Sequence, residues 1–412
     1  MVPNEWEILS LSQVSKVIDC KHRTPHYVES GIPLISPGTI KWGALDLTSP
    51  TKRVTEDEYQ SLMDHCTVEI GDLVMSRNQS VGVLSFVDSM KPFVLGQDTV
   101  LIKAEKSDSK YLFYKIQSEE VQKRIVRLAG GSTFARINLA DIRKLILECP
   151  PLVEQKKIAQ ILSTWDQAIL ATEKLLENSQ QQKKALMQQL LTGKKRLLDE
   201  NGERFSGEWS QKLVEECFDV GSSKRVLQAD WKSEGVPFYR TRELVSLSKK
   251  EAFRSEIFIS DELFLEITNK YGLPTEGDFL VSGVGTLGIS YQVKDGDKFY
   301  FKDGNVLWFK LKNHIFSDYF KYCFQSEFVQ EQIEAQASVT TVGTYTIQNA
   351  KKTKFWCPPS MQEQRKIAEV LSLADQEIET LQKKLDCLKQ EKKALMQQLL
   401  TGKRRVKLGE LK

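Results

Sequence analysis

The chain has 412 residues, of which 41% are hydrophobic and 27% are charged, and its net charge is +3. Such a length favours two domains over one core, and the composition is typical of a globular protein, not of a disordered one. The chain contains no run of about 18 apolar residues and no signal-peptide pattern at its start, so we expect neither a membrane span nor export. The small net charge neither assigns nor excludes a nucleic-acid partner. Seven cysteines, an odd number without framework spacing, predict reduced thiols in the cytoplasm.

The predicted elements alternate between short strands and helices in each half of the chain. In the first half, strand-like runs at 71–76, 81–87 and 99–103 precede a helix at about 110–128 and a further strand-like run at 139–149. The second half repeats this order, with strand-like runs at 277–282, 288–293 and 305–311 and a helix near 318–335. The predicted fold class is therefore mixed α+β, with two globular domains.

An internal repeat connects the two halves. Residues 183–194 recur without a mismatch at 392–403, and residues 154–159 resemble 363–368 at the same offset of 209. The globular parts match only in scattered pairs, such as Glu5-Trp6 with Glu208-Trp209. The chain therefore contains one unit twice, with a nearly identical helical part and a divergent globular part. This contrast indicates that the two helical parts share one function and that the two globular parts have different ones.

Each Pro-Pro pair, at 150–151 and 358–359, precedes about 40 residues with helical periodicity. Apolar residues alternate there in steps of four and three, as in a coiled-coil seam, so we expect two antiparallel helices related by a pseudo-two-fold axis. The predicted domain boundaries are 1–150 and 197–358 for the globular domains, 151–196 and 359–404 for the long helices, and 405–412 for a basic tail. The seam residues are Ile158, Leu162, Trp165, Ile169, Leu176, Leu186, Leu190, Ile367, Leu371, Ile378, Leu381, Leu385, Leu388, Leu395 and Leu399.

Polar and basic residues cluster at the predicted turns of both domains. These are the side-chain types that pair with base edges and phosphates, although surface loops are polar in most proteins. Residues 77–80 occupy the place of 283–286 between well-matched strands, yet their chemistry differs, as expected of two domains that read different sequences. The candidate DNA contacts are Lys21, His22, Arg23, Thr24, Ser36, Thr39, Arg77, Asn78, Gln79, Ser80, Ser132, Thr133, Arg136, Lys224, Arg225, Arg240, Thr241, Arg242, Ser282, Gly283, Thr286, Thr340, Thr341 and Thr344.

Catalytic patterns are weak. The G-x-G-x-x-G run at 283–288 precedes a period-2 strand instead of the helix that dinucleotide binding requires. The four histidines show no ligand spacing with the cysteines, and Cys149 and Cys357 precede prolines at equivalent places, which favours packing. We therefore predict a non-catalytic chain without a metal site.

Over nearly its whole length the chain resembles the specificity subunits of type I restriction–modification systems. The residues that carry the resemblance are the helix starts at 154–159 and 363–368, the helix ends at 184–194 and 393–403, and the segments 19–25, 130–133 and 136–138. The resemblance implies two target recognition domains, each reading half of a bipartite DNA site, with the helices fixing the spacer. It also implies two methyltransferase subunits that bring S-adenosylmethionine, and restriction (translocase–nuclease) subunits that use ATP and magnesium.

Two other functions remain open from the residues alone. The chain could be a stand-alone bipartite DNA binder that recruits other partners through its coil, or a coiled-coil scaffold whose globular ends bind proteins. Salt-sensitive binding to duplex DNA separates the DNA binders from the scaffold, because neutralising phosphates makes affinity fall with salt.

Overall fold

The computed structural model describes residues 3–130, 135–249, 251–312, 314–337 and 343–407. The chain divides into two compact units, Met1–Lys174 with Lys383–Lys412, and Leu175–Gln382. Each unit therefore combines one globular part with a portion of both long helices. Within the described residues, no helix is long and apolar enough to cross a membrane.

The first unit is built on a mixed five-stranded sheet with the order β2-β9-β6-β7-β4, beside a three-stranded sheet, β5-β3-β8, and a two-stranded pair, β1-β10. The strands are β1 (Glu7–Ser10), β2 (Ser15–Asp19), β3 (Ile32–Ile35), β4 (Gly43–Ala44), β5 (Arg53–Val54), β6 (Leu73–Ser76), β7 (Leu84–Phe86), β8 (Val94–Leu95), β9 (Thr99–Ala104) and β10 (Ile146–Cys149). The helices are α1 (Leu11–Val14), α2 (Glu56–Met63), α3 (Ser109–Gln117), α4 (Glu119–Leu128) and α5 (Leu139–Arg143).

The second unit repeats this plan with a four-stranded sheet, β12-β18-β15-β16, a three-stranded sheet, β14-β13-β17, and the pair β11-β19. Its strands are β11 (Ser210–Leu213), β12 (Phe218–Ser222), β13 (Val236–Tyr239), β14 (Phe258–Ile259), β15 (Phe279–Ser282), β16 (Ser290–Gln292), β17 (Tyr300–Phe301), β18 (Val306–Leu311) and β19 (Lys354–Cys357). Its helices are α7 (Val214–Cys217), α8 (Thr241–Ser248), α9 (Asp261–Tyr271), α10 (Ser317–Phe324), α11 (Glu327–Ala337) and α12 (Ile347–Lys352).

Two helices of 39 residues complete the units, α6 (Leu152–Leu190) and α13 (Met361–Leu399). In the first unit, Ile158 and Leu162 near the start of α6 share a core with Leu399 at the end of α13. In the second unit, the end of α6 lies in one core with Ile367 and Leu371 from the start of α13. Since the start of one helix packs near the end of the other in both units, the pair is antiparallel. Every predicted seam residue is buried or half-buried.

Polar contacts repeat across the two units along these helices. Asp166 accepts hydrogen bonds from Lys392 Nζ and from the Tyr114 hydroxyl. In the second unit, Asp375 lies 2.6 Å from Lys183 Nζ and accepts the Tyr322 hydroxyl at 2.8 Å. The lysine and aspartate pairs are related by the same offset of 209 residues as the sequence repeat, so the duplication extends to specific contacts.

Three predicted elements differ from the structure, two in the first unit and one in the second. The helix expected at 110–128 is two helices, because Ser118 has an extended backbone (ψ 145°) that ends α3 and begins α4. In the second unit, the helix expected at 318–335 is likewise divided, into α10 and α11. The strand expected over 139–149 was wrong in its first half, where α5 precedes β10. Only Ile146–Cys149 pairs with β1, and the apolar residues before it, such as Ile142, are buried on a short helix instead.

Candidate nucleic-acid interface

Three of the predicted loops in the first unit line one cleft of about 280 Å³. Arg23 and Thr24 come from the segment after β2, Ser36 from the turn after β3, and Asn78 and Gln79 from the loop between β6 and β7. The sequence separates these loops by up to 56 positions, and the two sheets bring them together. The cleft is also lined by four residues that were not among the predicted contacts, namely Tyr27, Lys52, Gln97 and Asp98.

The basic residues beside this cleft are ion-paired with helix α2 and the residue after it. Arg23 makes a two-point contact with Glu58, with Nη1–Oε1 and Nη2–Oε2 distances of 3.1 and 2.5 Å. Those hydrogen bonds lower the pKa of the Glu58 carboxyl. Lys21 Nζ lies 2.6 Å from Asp64 and also donates to the Ser61 carbonyl. Both cations are thus held by carboxylates of this helical segment.

Arg77, one of the predicted DNA contacts, is buried in the structure. Its side chain is only 6% exposed, and Nη1 lies 2.8 and 3.1 Å from the two carboxylate oxygens of Asp19. Its Nε donates to the Ile137 carbonyl at 3.2 Å. In this structure Arg77 therefore ties β2 to the segment before α5 instead of facing a ligand.

Asp19, Cys20 and His22 place potential metal-ligand atoms within 4.8 Å of one another, a proximity that the sequence spacing did not suggest. The Asp19 carboxylate, however, is already bound by the Arg77 guanidinium and by His22 Nε2 at 3.1 Å. Burial raises the pKa of the Cys20 thiol, with the nearby Asp19 charge adding to that effect. A cationic neighbour and a protonated thiol both disfavour a metal ion, so this cluster is better explained as an anchor for the His22 ring.

The remaining candidates of the first unit take several positions. Thr39 Oγ1 donates to the Ser36 carbonyl and accepts from its amide, which closes the turn at Pro37–Thr39. Ser80 is half-buried, and Arg136 is exposed and ion-paired with Asp98 at 2.6 Å. Ser132 and Thr133, like Thr340 and Thr341 of the second domain, lie outside the described residues.

In the second unit, the basic candidates form two pairs, Lys224 with Arg225 and Arg240 with Arg242. Lys224 and Arg225 are exposed after β12, with Lys224 Nζ 5.2 Å from the centre of the Tyr271 ring. Arg240 and Arg242 both contact the buried Glu243 carboxylate, and they also reach the exposed Glu256. Burial raises the pKa of Glu243, but hydrogen bonds from Arg240 outweigh that effect and the pKa is lowered. Thr241 lies between the two arginines and is half-buried.

The loops at 77–80 and 283–286 have the same backbone frame. The amide of residue 77 donates to the Asp98 carbonyl, and the amide of residue 283 donates to the Asn305 carbonyl. Isolated bridges join Asn78 to Arg136 and Val284 to Thr344 at equivalent places. Gly283 and Ser282 are buried, whereas Thr286 is exposed. One frame therefore presents two carboxamides, Asn78 and Gln79, in one domain and a small, glycine-rich loop in the other.

Other motifs of the sequence have structural roles. Strand β16 follows the glycines at 283–288, so the run has no helix N-terminus to hold a dinucleotide. All seven cysteines are free thiols. Burial raises the pKa of Cys149 to about 11 and that of Cys357 to about 12, which is the behaviour of packed thiols and not of nucleophiles.

Comparison with known proteins identifies the family. The model of the type I restriction modification DNA specificity domain matches residues 3–179 and again 206–390. The chain belongs to this family. It is a type I restriction–modification specificity subunit, and the role of such a subunit is recognition and not catalysis.

Individual relatives agree with this assignment. The putative type I restriction enzyme MjaX specificity subunit of Methanocaldococcus jannaschii is 26% identical, with 98% of this chain and 95% of that protein covered. The MjaVIII specificity subunit of the same organism is also 26% identical, but that match spans only 48% of each protein. A crystal structure of the S subunit from M. genitalium has the same fold, with a TM-score of 0.61 at 18% identity and 97% of both chains covered.

Proposed function

We propose that each globular domain recognises one short half-site, or word, of a bipartite duplex-DNA target. The two long helices fix the length of the spacer between the two words. The recognition domains would be residues 1–150 and 197–358, the helices 151–196 and 359–404, and the C-terminal tail 405–412. In that arrangement the specificity subunit supplies sequence information and its partners supply chemistry.

One observation carries this proposal. The loops at 77–80 and 283–286 share their backbone hydrogen bonds, while their exposed side chains differ in size and in hydrogen-bonding groups. An identical run of twelve residues, 183–194 and 392–403, by contrast covers the C-terminal ends of α6 and α13. A constant support with variable loops is what two readers of different base sequences require, because specificity resides in side chains that reach base edges.

The charge distribution supports a phosphate-bearing ligand. Lys224 and Arg225 are exposed beside the second domain's sheets, and Lys52 lies in the first domain's cleft over the Tyr27 ring at 5.0 Å. The ion-paired Arg23 can exchange its carboxylate partner for a phosphate oxygen, since both are bound by the guanidinium through two parallel hydrogen bonds.

A binding selection with duplexes randomised in two segments tests the proposal. The subunit, alone and with its partners, should return two fixed words at one fixed separation. Binding to the selected duplex should weaken steeply with salt, and a Lys224→Ala/Arg225→Ala variant should lower the slope of log K against log salt by about two. A single uninterrupted word, or recovery of random sequence, would refute bipartite reading.

We further propose that two methyltransferase subunits dock on grooves that the helix repeat forms in each unit. In the second unit, Lys184, Met187 and Gln188 of α6 line a groove of about 720 Å³ together with Glu327. In the first unit, the equivalent Lys393, Met396 and Gln397 of α13 line a groove of about 660 Å³ with Glu119. The repeated lining supports one kind of partner bound twice.

The two grooves are matched controls for each other. Met187→Asp should reduce the number of methyltransferase subunits per specificity subunit from two to one, as Met396→Asp should, and the double variant should bind none. Light scattering of the purified complexes measures this ratio. Two bound partners in the double variant would contradict docking at the grooves.

The cofactors of the reaction would then belong to the partners. S-adenosylmethionine would enter with the methyltransferase subunits, and ATP and magnesium with the restriction subunits. Free thiols at all seven cysteines are compatible with the cytoplasm as the place of action.

A further inference from the structure

The cleft of the first domain contains an uncommon backbone conformation. Of the non-glycine residues that the structure describes, Gln79 (φ 57°) and Asp98 (φ 63°) have positive φ, and both line this cleft. A left-handed backbone is sterically unfavourable for a residue with a β-carbon, and such residues concentrate at functional sites. The equivalent position in the second domain is Gly285 (φ 83°), the residue type that adopts this conformation without strain.

Neighbouring side chains fix the loop in place. Asn78 Oδ1 accepts the Gln79 amide at 2.7 Å, and the Ser76 hydroxyl donates to the Asn78 carbonyl at 2.6 Å. Asn78 Nδ2 reaches Asp98 at 3.4 Å, and the other oxygen of Asp98 binds Arg136. The polar ends of Asn78, Asp98 and Arg136 are therefore occupied by one another, and they form a support for Gln79.

The carboxamide of Gln79 is the part that this support leaves available. Gln79 is exposed, and among the described residues its side chain makes no hydrogen bond. A β-carbon added at Gly38 would stand 3.3 Å from Gln79 Oε1, so the carboxamide lies over the turn at Pro37–Thr39 and faces the cleft. The fold gains nothing from a glutamine here that glycine would not supply with less strain.

The chemistry of the carboxamide selects one base. It offers one acceptor and one donor side by side, and adenine presents the complementary N6 donor and N7 acceptor in the major groove. Guanine presents two acceptors at the same edge, so a glutamine cannot pair with both atoms.

We propose that Gln79 reads an adenine in the word recognised by the first domain, through two hydrogen bonds to its N6 and N7. This inference rests on the proposed reading of duplex DNA. Gln79 is then a specificity-determining residue, and Asn78, Asp98 and Arg136 are positioning residues that hold it.

Replacing Gln79 with glycine gives a clean test, because glycine relieves the left-handed backbone and the variant should unfold at a higher temperature than the wild type. Binding is measured by competition on the selected duplex, with the subunit in its complex. Replacing the relevant adenine by 7-deazaadenine removes the N7 acceptor and should weaken wild-type binding about tenfold. The Gln79→Gly variant should bind both duplexes equally, and Gln79→Glu should shift the preference towards cytosine, whose N4 group is a donor.

Gln97 is the matched control, since it is an exposed carboxamide on the same cleft. Gln97→Ala should keep the adenine preference, and the second word should be unchanged in every variant. Retention of the preference by Gln79→Gly, its loss in Gln97→Ala, or a first word without adenine would each overturn the inference. Failure of the wild type to select any sequence would instead count against the proposed function.

Discussion

A buried ion pair in the first unit gives a specific prediction about stability. Lys115 is fully buried, and its Nζ lies 2.6 Å from Glu148 and donates to the Leu400 carbonyl at 2.7 Å. The Lys115→Met variant keeps most of the packing but leaves Glu148 without this partner and the end of α13 without a donor. Removing one member of a buried pair costs about 3–5 kcal/mol.

Arg124 also binds Glu148, at 2.8 Å, so we expect the lower end of that range, about 3 kcal/mol. Urea denaturation followed by fluorescence measures the change in the free energy of unfolding. The control is Lys115→Met/Glu148→Met, which removes both charges and should recover the part of the loss that comes from the unpaired Glu148 carboxylate, because an apolar pair of similar volume replaces a buried ion pair at little cost. A loss below about 0.5 kcal/mol in the single variant, or no recovery in the double variant, would refute a stabilising role for the pair.

Three further predictions concern charge and length. Burial raises the pKa of the Glu148 carboxyl, but the hydrogen bonds from Lys115 and Arg124 outweigh that effect, so its pKa in the folded state is lowered. These bonds therefore stabilise the fold at pH values above the pKa of the unfolded chain, about 4.3. The stabilisation is lost as pH falls through the lower pKa of the folded state. The free energy of unfolding, measured against pH, should therefore differ less between the wild type and Lys115→Met below about pH 4 than above it. A difference that stays constant with pH would contradict this assignment. Glu58→Gln removes the carboxylate that holds Arg23, so non-specific DNA affinity should rise at low salt, and unchanged affinity in a filter-binding titration would count against phosphate exchange. Adding one helical turn to both α6 and α13 should lengthen the preferred spacer in a binding selection, and an unchanged spacer would refute the ruler role of the helices.

The sequence predicted the features that depend on local periodicity and on repetition. The antiparallel helices followed from apolar residues such as Leu162 and Leu371 at seam spacing, and the two-domain organisation followed from the repeat. Three loops that line the cleft were among the predicted DNA contacts, but their convergence and the other lining residues were not predicted. Tyr27, Lys52 and Gln97 reach it through strand pairing between β3, β5 and β8, which no local pattern reveals.

Long-range pairing also explains the residues that were misplaced. Arg77 appeared to be an exposed loop arginine because its partner, Asp19, lies 58 residues earlier in the sequence. Helix α2, whose Glu58 holds Arg23, was not predicted. The short helix α5 was taken for a strand, because five residues are too few to show a helical period and a strand follows directly.

Mapping of methylated bases in cells that carry the complex tests the central claim most directly. Cells with the complete complex should show methylation confined to one bipartite motif, two fixed words at a constant gap, and cells that lack only this chain should show none of it. Gln79→Gly should relax the first word at one adenine and leave the second word intact. Methylation at a single continuous motif, or an unchanged pattern in cells without the chain, would contradict its role as the reader of a bipartite target.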